Sequence, residues 1–148
     1  MEIVEIRDLE ELQRIGKEYL SHKKQYYPYF DEWYKGKVAN RVSHKAHQLF
    51  VAVENHEYVG FLIIKNWTEK KISLLYVPEE YQCKGIGTKL LEFAIEQLGT
   101  KYPLITVPAP KTHEFNMLFN KFNFRKTALY YDYYGTGHNE VAYNGYLI

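Results

Sequence analysis

Residues 3–6 alternate apolar and polar positions, the period of a half-buried strand, and the pattern then changes to helical spacing at Leu9, Leu12, Ile15 and Tyr19. Asp8, three residues ahead of Glu11, provides an N-terminal cap for that helix. The stretch YYPYFDEWY, residues 26–34, crowds six aromatic side chains around Pro28. The proline predicts a second helix that begins after it and runs towards Asn40. Residues 49–53 and 58–64 are β-rich runs joined by Glu54, Asn55, His56 and Glu57, which predicts an antiparallel hairpin. Its second strand is apolar on both faces and belongs in the centre of a sheet. A further strand over 72–77 is ended by Pro78, which lacks a ladder donor. Leu90, Leu91, Ala94, Ile95 and Leu98 then recur at helical spacing, with Gly99 as a C-terminal stop. Residues 103–107 predict a short strand, and 112–122 a helix whose apolar face carries Phe115, Leu118, Phe119 and Phe122. Two last β-rich runs, 124–134 and 141–147, flank GTGHN and predict a terminal hairpin.

The 148 residues suit one domain over 1–148, able to bury about two-thirds of the unfolded surface. With 19 basic and 18 acidic residues the net charge is +1, so the broad positive field of sequence-independent nucleic-acid binding is missing. HKKQYY joins basic and aromatic side chains as single-strand binders do, but the near-neutral total and the adjacent DEW argue against a nucleic-acid groove. Cys83 is the single cysteine, and the first residues have neither the basic start nor the apolar middle of a signal peptide. No apolar run approaches the roughly 18 residues that span a membrane. The expectation is a soluble, cytoplasmic protein. His44 and His47 are three apart, but with one cysteine and no supporting acidic motif they do not predict a metal site.

Chemistry concentrates at YQCKGIGTKLL, which lies between the strand ending near Val77 and the helix of Leu90. Without a Cβ, Gly85 and Gly87 let the backbone approach a ligand and aim successive N–H groups at one point. A helix starts there, and its unpaired N–H groups and dipole favour an anion such as a pyrophosphate. A nucleotide P-loop is excluded, because Thr88 separates Gly87 from Lys89 and no glycine lies five residues before Gly87. The dinucleotide fingerprint is excluded too, since Leu90 occupies its third glycine and seven residues separate Val77 from Gly85.

The wider stretch LLYVPEEYQCKGIGTKLLEFA resembles motif A of the GNAT superfamily of N-acetyltransferases, with Gln82, Cys83, Lys84, Gly85, Ile86 and Gly87 in its Gln/Arg-x-x-Gly-x-Gly/Ala signature. The element order fits as well. The resemblance implies a mixed α/β fold, with a mostly antiparallel sheet of about six to seven strands flanked by about four helices. It implies acetyl-CoA as acyl donor, its pyrophosphate on Gln82 to Thr88 and its pantetheine arm along Leu75, Tyr76 and Val77. A backbone N–H at Leu75 or Val77 would then stabilise the oxyanion as an acceptor amine attacks the thioester directly. Such an amine must be neutral, hence a base or a water chain leading to one.

The chain departs from the family at two points. Lys71 and Ser73 stand where relatives carry a strand glutamate, so the base is unassigned, with Glu69 and Glu79 near the strand ends as candidates. In LFNKFNF, Phe119 stands in place of the tyrosine that protonates the departing thiolate, and Thr112 in place of an asparagine. Phe119 can still pack on the cofactor's thiol end. A thiol with a pKa of about 8.5 leaves tolerably without an acid. The implied acceptor is a small-molecule amine or a protein amino group, in a pocket walled by the tyrosines of 26–34 and 130–134, with Asp31, Glu32 or Asp132 to attract its charge. The alternative is a non-catalytic acyl-CoA-binding or regulatory module. Edge strands leave pairing into a homodimer open.

Overall fold

A computed structural model describes residues 1–39 and 47–147 of the chain. Seven strands form one sheet in the order β1 (Glu2–Ile6), β2 (His47–Glu54), β3 (Glu57–Asn66), β4 (Lys70–Tyr76), β5 (Leu104–Pro108), β7 (Glu140–Tyr143) and β6 (Lys126–Tyr130). Every pairing is antiparallel except β4 with β5. The helices are α1 (Leu9–Ile15), α2 (Phe30–Trp33), α3 (Ile86–Leu98) and α4 (Thr112–Lys121). This is the predicted mixed fold.

The start of α1 is capped as its sequence requires, with Asp8 accepting a hydrogen bond from the Glu11 amide at 3.0 Å. The β2–β3 turn is tighter than the predicted four-residue join. Asn55 and His56 both take positive φ, the geometry of a two-residue hairpin turn that follows strand twist. In α3, Ile86, Leu90, Leu91, Ala94 and Leu98 are buried on one stripe, and Gly99 closes it in the left-handed region.

Both predicted N-terminal helices form over their expected spans, but only the first part of each is α-helical. After Ile15 the first relaxes into wide turns over Gly16–Leu20 and then tight ones over Ser21–Gln25. The second continues past Trp33 as wide turns over Tyr34–Ala39. Asn40, its predicted limit, and His44 lie outside the described residues. The terminal hairpin is shorter than predicted. Asp132, Gly135 and Gly137 have positive φ, and Asp132 accepts the Gly137 amide at 2.7 Å, so residues 131–139 form a folded loop between β6 and β7.

The sheet buries both faces. On one, α3 and α4 pack over Leu62, Ile72, Leu75, Ile105, Val107 and Val141. On the other, α1 and α2 pack over Val51, Phe61, Ile63 and Leu74. Gly60 lets α3 sit directly on β3, because a Cβ there would lie 2.8 Å from Leu90 and 2.9 Å from Ile86. That close approach fixes where the N-terminus of α3 begins.

Candidate active site

The parallel pair is short. β4 and β5 are in register at only two positions, Lys71 with Leu104 and Ile72 with Ile105. On its other side β4 remains paired with β3 through Tyr76, and Ser73 is an extra residue between Leu74 and Ile72 in that register. Such a bulge bends and twists the strand locally. Beyond it β4 and β5 part, and a cleft of about 590 Å³ opens between them. Leu74, Leu75, Tyr76 and Val77 line one wall and Thr106, Val107 and Pro108 the other. The edge of β4 facing β5 is thus without a strand partner over 74–76, a set of main-chain groups that a ligand can satisfy.

The glycine loop closes one end of this cleft. Cys83 and Gly85 both have positive φ, flanking Lys84, and the side chain of Gln82 donates to the carbonyl of Val77 at 2.9 Å. Alternation of backbone handedness turns successive N–H groups towards one side and forms an anion-binding concavity. Gly85, at φ +83°, is the cap residue of α3 and adds no side-chain hydrogen bond, so the first amides of the helix are left for another acceptor. Gln82, Cys83, Gly85, Ile86, Gly87 and Thr88 all line the cleft. Lys84 is exposed and does not, its ammonium lying 5.9 Å from the Tyr81 ring.

The weak candidates separate. Glu79 lines the cleft, whereas Glu69 pairs with Lys65 at 3.4 Å away from it. Phe119 is a core residue, 1% exposed, with its ring against Phe115, Phe124 and Tyr143. The wall that α4 gives the cleft is made by Phe115 and Leu118 instead. Asp31 pairs with Lys24 at 3.2 Å and Asp132 is engaged in its own loop, and neither lines the cleft.

A family model described as acetyltransferase (GNAT) family matches residues 5–114. The chain belongs to the GNAT acetyltransferase family. No curated protein sequence matches it. Solved structures share its fold at low identity. An IAA acetyltransferase from Bacillus cereus is 19% identical, with a TM-score of 0.68 over 96% of this chain and 96% of that one. A ribosomal-protein alanine N-acetyltransferase from Escherichia coli is 18% identical, with a TM-score of 0.68 over 96% and 90%. Arabidopsis thaliana NAA60, solved in complex with acetyl-CoA, is 17% identical, with a TM-score of 0.67 over 95% and 95%.

Within this GNAT fold the structure brings forward groups that the sequence left unassigned. Residues 22–27 cross the cleft on the α1/α2 face, where His22, Lys23, Gln25, Tyr26 and Tyr27 line it. The Tyr27 hydroxyl donates to Glu140 at 2.8 Å. Glu140, the first residue of β7, is 1% exposed and sits opposite Pro108 in the ladder. Burial pushes its carboxyl up to about 7, against the pull of hydrogen bonds from Tyr27 and Thr106 and of the Lys71 charge. Burial also raises Tyr27 well above its ordinary value, with the Glu140 charge adding to it, so its hydroxyl stays protonated. Nothing in the hydrophobic pattern distinguished Glu140, because its pairing with Tyr27 spans 113 positions. The sequence signal available was an acidic residue directly before the predicted strand 141–147.

Two cationic groups line the same cleft. The Lys23 ammonium stands 4.6 Å from the centre of the Tyr76 ring, and the Lys111 ammonium 5.4 Å from that of Tyr26. Burial brings Lys23 down to about 8, helped by repulsion from Lys111 and opposed by Glu114. Among the described residues no three His, Cys, Asp or Glu converge as a metal group, and no helix is long and apolar enough to cross a membrane.

Proposed function

We propose that the protein is an acetyl-CoA-dependent N-acetyltransferase acting on a primary amine. The observation that carries this reading is the parting of β4 from β5 beside an uncapped, glycine-bearing start of α3. The residues fit the donor. Amides of 82–88 would hold its diphosphate, and the open edge of Leu75 to Val77 its pantetheine arm. The backbone N–H of Leu75 or Val77 would stabilise the developing oxyanion, an effect of about 3 kcal/mol per donor.

Tyr27 is the catalytic side chain in this reading, and Glu140 the proton store behind it. An acceptor ammonium gives one proton to the Tyr27 oxygen as that hydroxyl passes its own to Glu140. The neutral nitrogen then attacks the thioester carbon. The C–N bond forms, the C–S bond breaks, and the remaining surplus proton on nitrogen goes to the departing thiolate. Glu140 returns its proton to solvent. The thiol is a good enough leaving group for Phe119 to stand in the core rather than at the reacting atoms.

Calorimetry with CoA and acetyl-CoA, followed by thiol release across an amine panel, tests the reading. Binding of both and turnover with at least one amine is the expected result. No heat from either cofactor with folded protein overturns it, and binding without turnover on any amine favours the acyl-CoA-binding module.

A further inference from the structure

The cleft is not chemically symmetrical. The glycine loop and α3 belong to the face packed by Leu75 and Ile86, whereas Leu74 and Tyr76 turn to the opposite face with α1 and α2. Lys23 stands over the Tyr76 ring, on the wall that residues 22–27 give the cleft, whereas the amides proposed to hold the donor's diphosphate belong to the glycine loop and α3. Among the described residues Lys23 has no carboxylate within ion-pair distance, although it lines the cleft and is partly buried. Lys111 lies close enough to repel it and is itself paired with Glu114 at 3.1 Å. His22 adds a third basic side chain to the same wall, its ring 4.7 Å from that of Tyr76. Glu79 also lines the cleft, but it is exposed on the turn after β4 and makes no ion pair with Lys23.

A desolvated ammonium held over an aromatic ring without a counter-ion is a costly arrangement for the free protein. It becomes favourable when a ligand brings a negative group. In the same cleft the Tyr27 hydroxyl, which donates to the buried Glu140 behind it, offers an oxygen acceptor suited to an ammonium. We infer that the acetyl acceptor is itself zwitterionic, an amine carrying a carboxylate or phosphate that Lys23, assisted by Lys111, holds on the α1/α2 face of the cleft. This rests on the acetyltransfer reading and names its substrate class. The amine end is directed to Tyr27 and the thioester, and the anionic end to Lys23.

Matched probes test it: β-alanine against β-alaninamide, and O-phosphoethanolamine against ethanolamine. Binding is measured by calorimetry on the wild-type protein with and without CoA, and turnover by thiol release. The acids are expected to bind and react about tenfold or more better than their uncharged partners, the range of a charge-assisted contact. In Lys23→Gln that ratio falls towards one, and Lys23→Arg restores most of it, while CoA affinity is unchanged in both. The pair with the larger ratio tells a carboxylate acceptor from a phosphate one. Equal binding of acid and uncharged partner by the wild type overturns the inference. So does a Lys23→Gln protein that keeps the preference, or one that loses CoA affinity instead, which would place the ammonium on a donor phosphate. The arm without CoA reads the charge preference even if no CoA heat is seen, so failure of the acetyltransfer reading is told apart from failure of this one.

Discussion

Glu140→Gln should separate stability from activity, and the size of the effect follows from the site. The buried carboxyl has a pKa of about 7 against an ordinary value of 4.5, which at 1.36 kcal/mol per pH unit makes its ionisation in the folded state cost about 3 kcal/mol. Because the folded value is raised, this contribution to stability is fully present below about 4.5 and is lost as pH rises through about 7. The groups that face Glu140 are Tyr27 from the crossing segment, Thr106 on β5, Lys71 on β4 and Tyr134 in the terminal loop. Glutamine keeps an acceptor for Tyr27 and carries no charge to desolvate. The variant should match the wild type at pH 5 to within about 1 kcal/mol, the net value of an altered hydrogen bond. By pH 8 it should be more stable by up to about 3 kcal/mol, or roughly 6–12 °C in Tm for a chain of this size. Turnover should fall by about 10²–10⁴, and the rise of kcat/KM through pH 7 should vanish. Urea unfolding at the two pH values, with a pH-rate profile, measures both. A stability gap equal at pH 5 and pH 8, or a variant that keeps wild-type turnover and its pH limb, would refute the reasoning.

Three other substitutions probe the scaffold and the loop. In Gly87→Ala the new methyl meets Leu118 at 3.7 Å, an ordinary contact, so Tm should hold within a degree or two while calorimetry shows weakened CoA binding; unchanged affinity would place the ligand elsewhere. Gly60→Ala puts a methyl 2.8 Å from Leu90 and should cost about 1–3 kcal/mol in urea unfolding, as overpacking does. Phe119→Ala opens the core between α4 and β7 and should cost about 3–5 kcal/mol in the same assay; a small loss would mean that the ring is not the packing element its contacts describe.

Much of the scaffold was legible because it is local. Alternation in β2 and β3, the Asp8 cap, the Gly99 stop and the two loop glycines each report on neighbours a few residues away. Where the sequence misled, a distant contact decided. The spacing of Leu9 to Tyr19 reads as one helix, yet the turns widen after Ile15, where the chain must meet Tyr34 and Phe61. Phe119 sits on the apolar stripe of α4 whether that stripe faces a ligand or the core, and only the fold places it against Tyr143. The charge and rings of HKKQYY are visible in the sequence, but composition cannot say that Lys23 and Tyr27 line the cleft between β4 and β5. Glu140 was invisible for the same reason, since its environment is assembled from four separate segments.

The gap between β4 and β5 has a consequence for kinetics. Its lining is drawn from both faces of the sheet, so under the proposed reading donor and acceptor would occupy the cleft together, each against its own wall. Initial-rate plots against both reagents should therefore intersect, the signature of a ternary complex, and parallel lines would mean that the acetyl group rests on the protein between two separate visits.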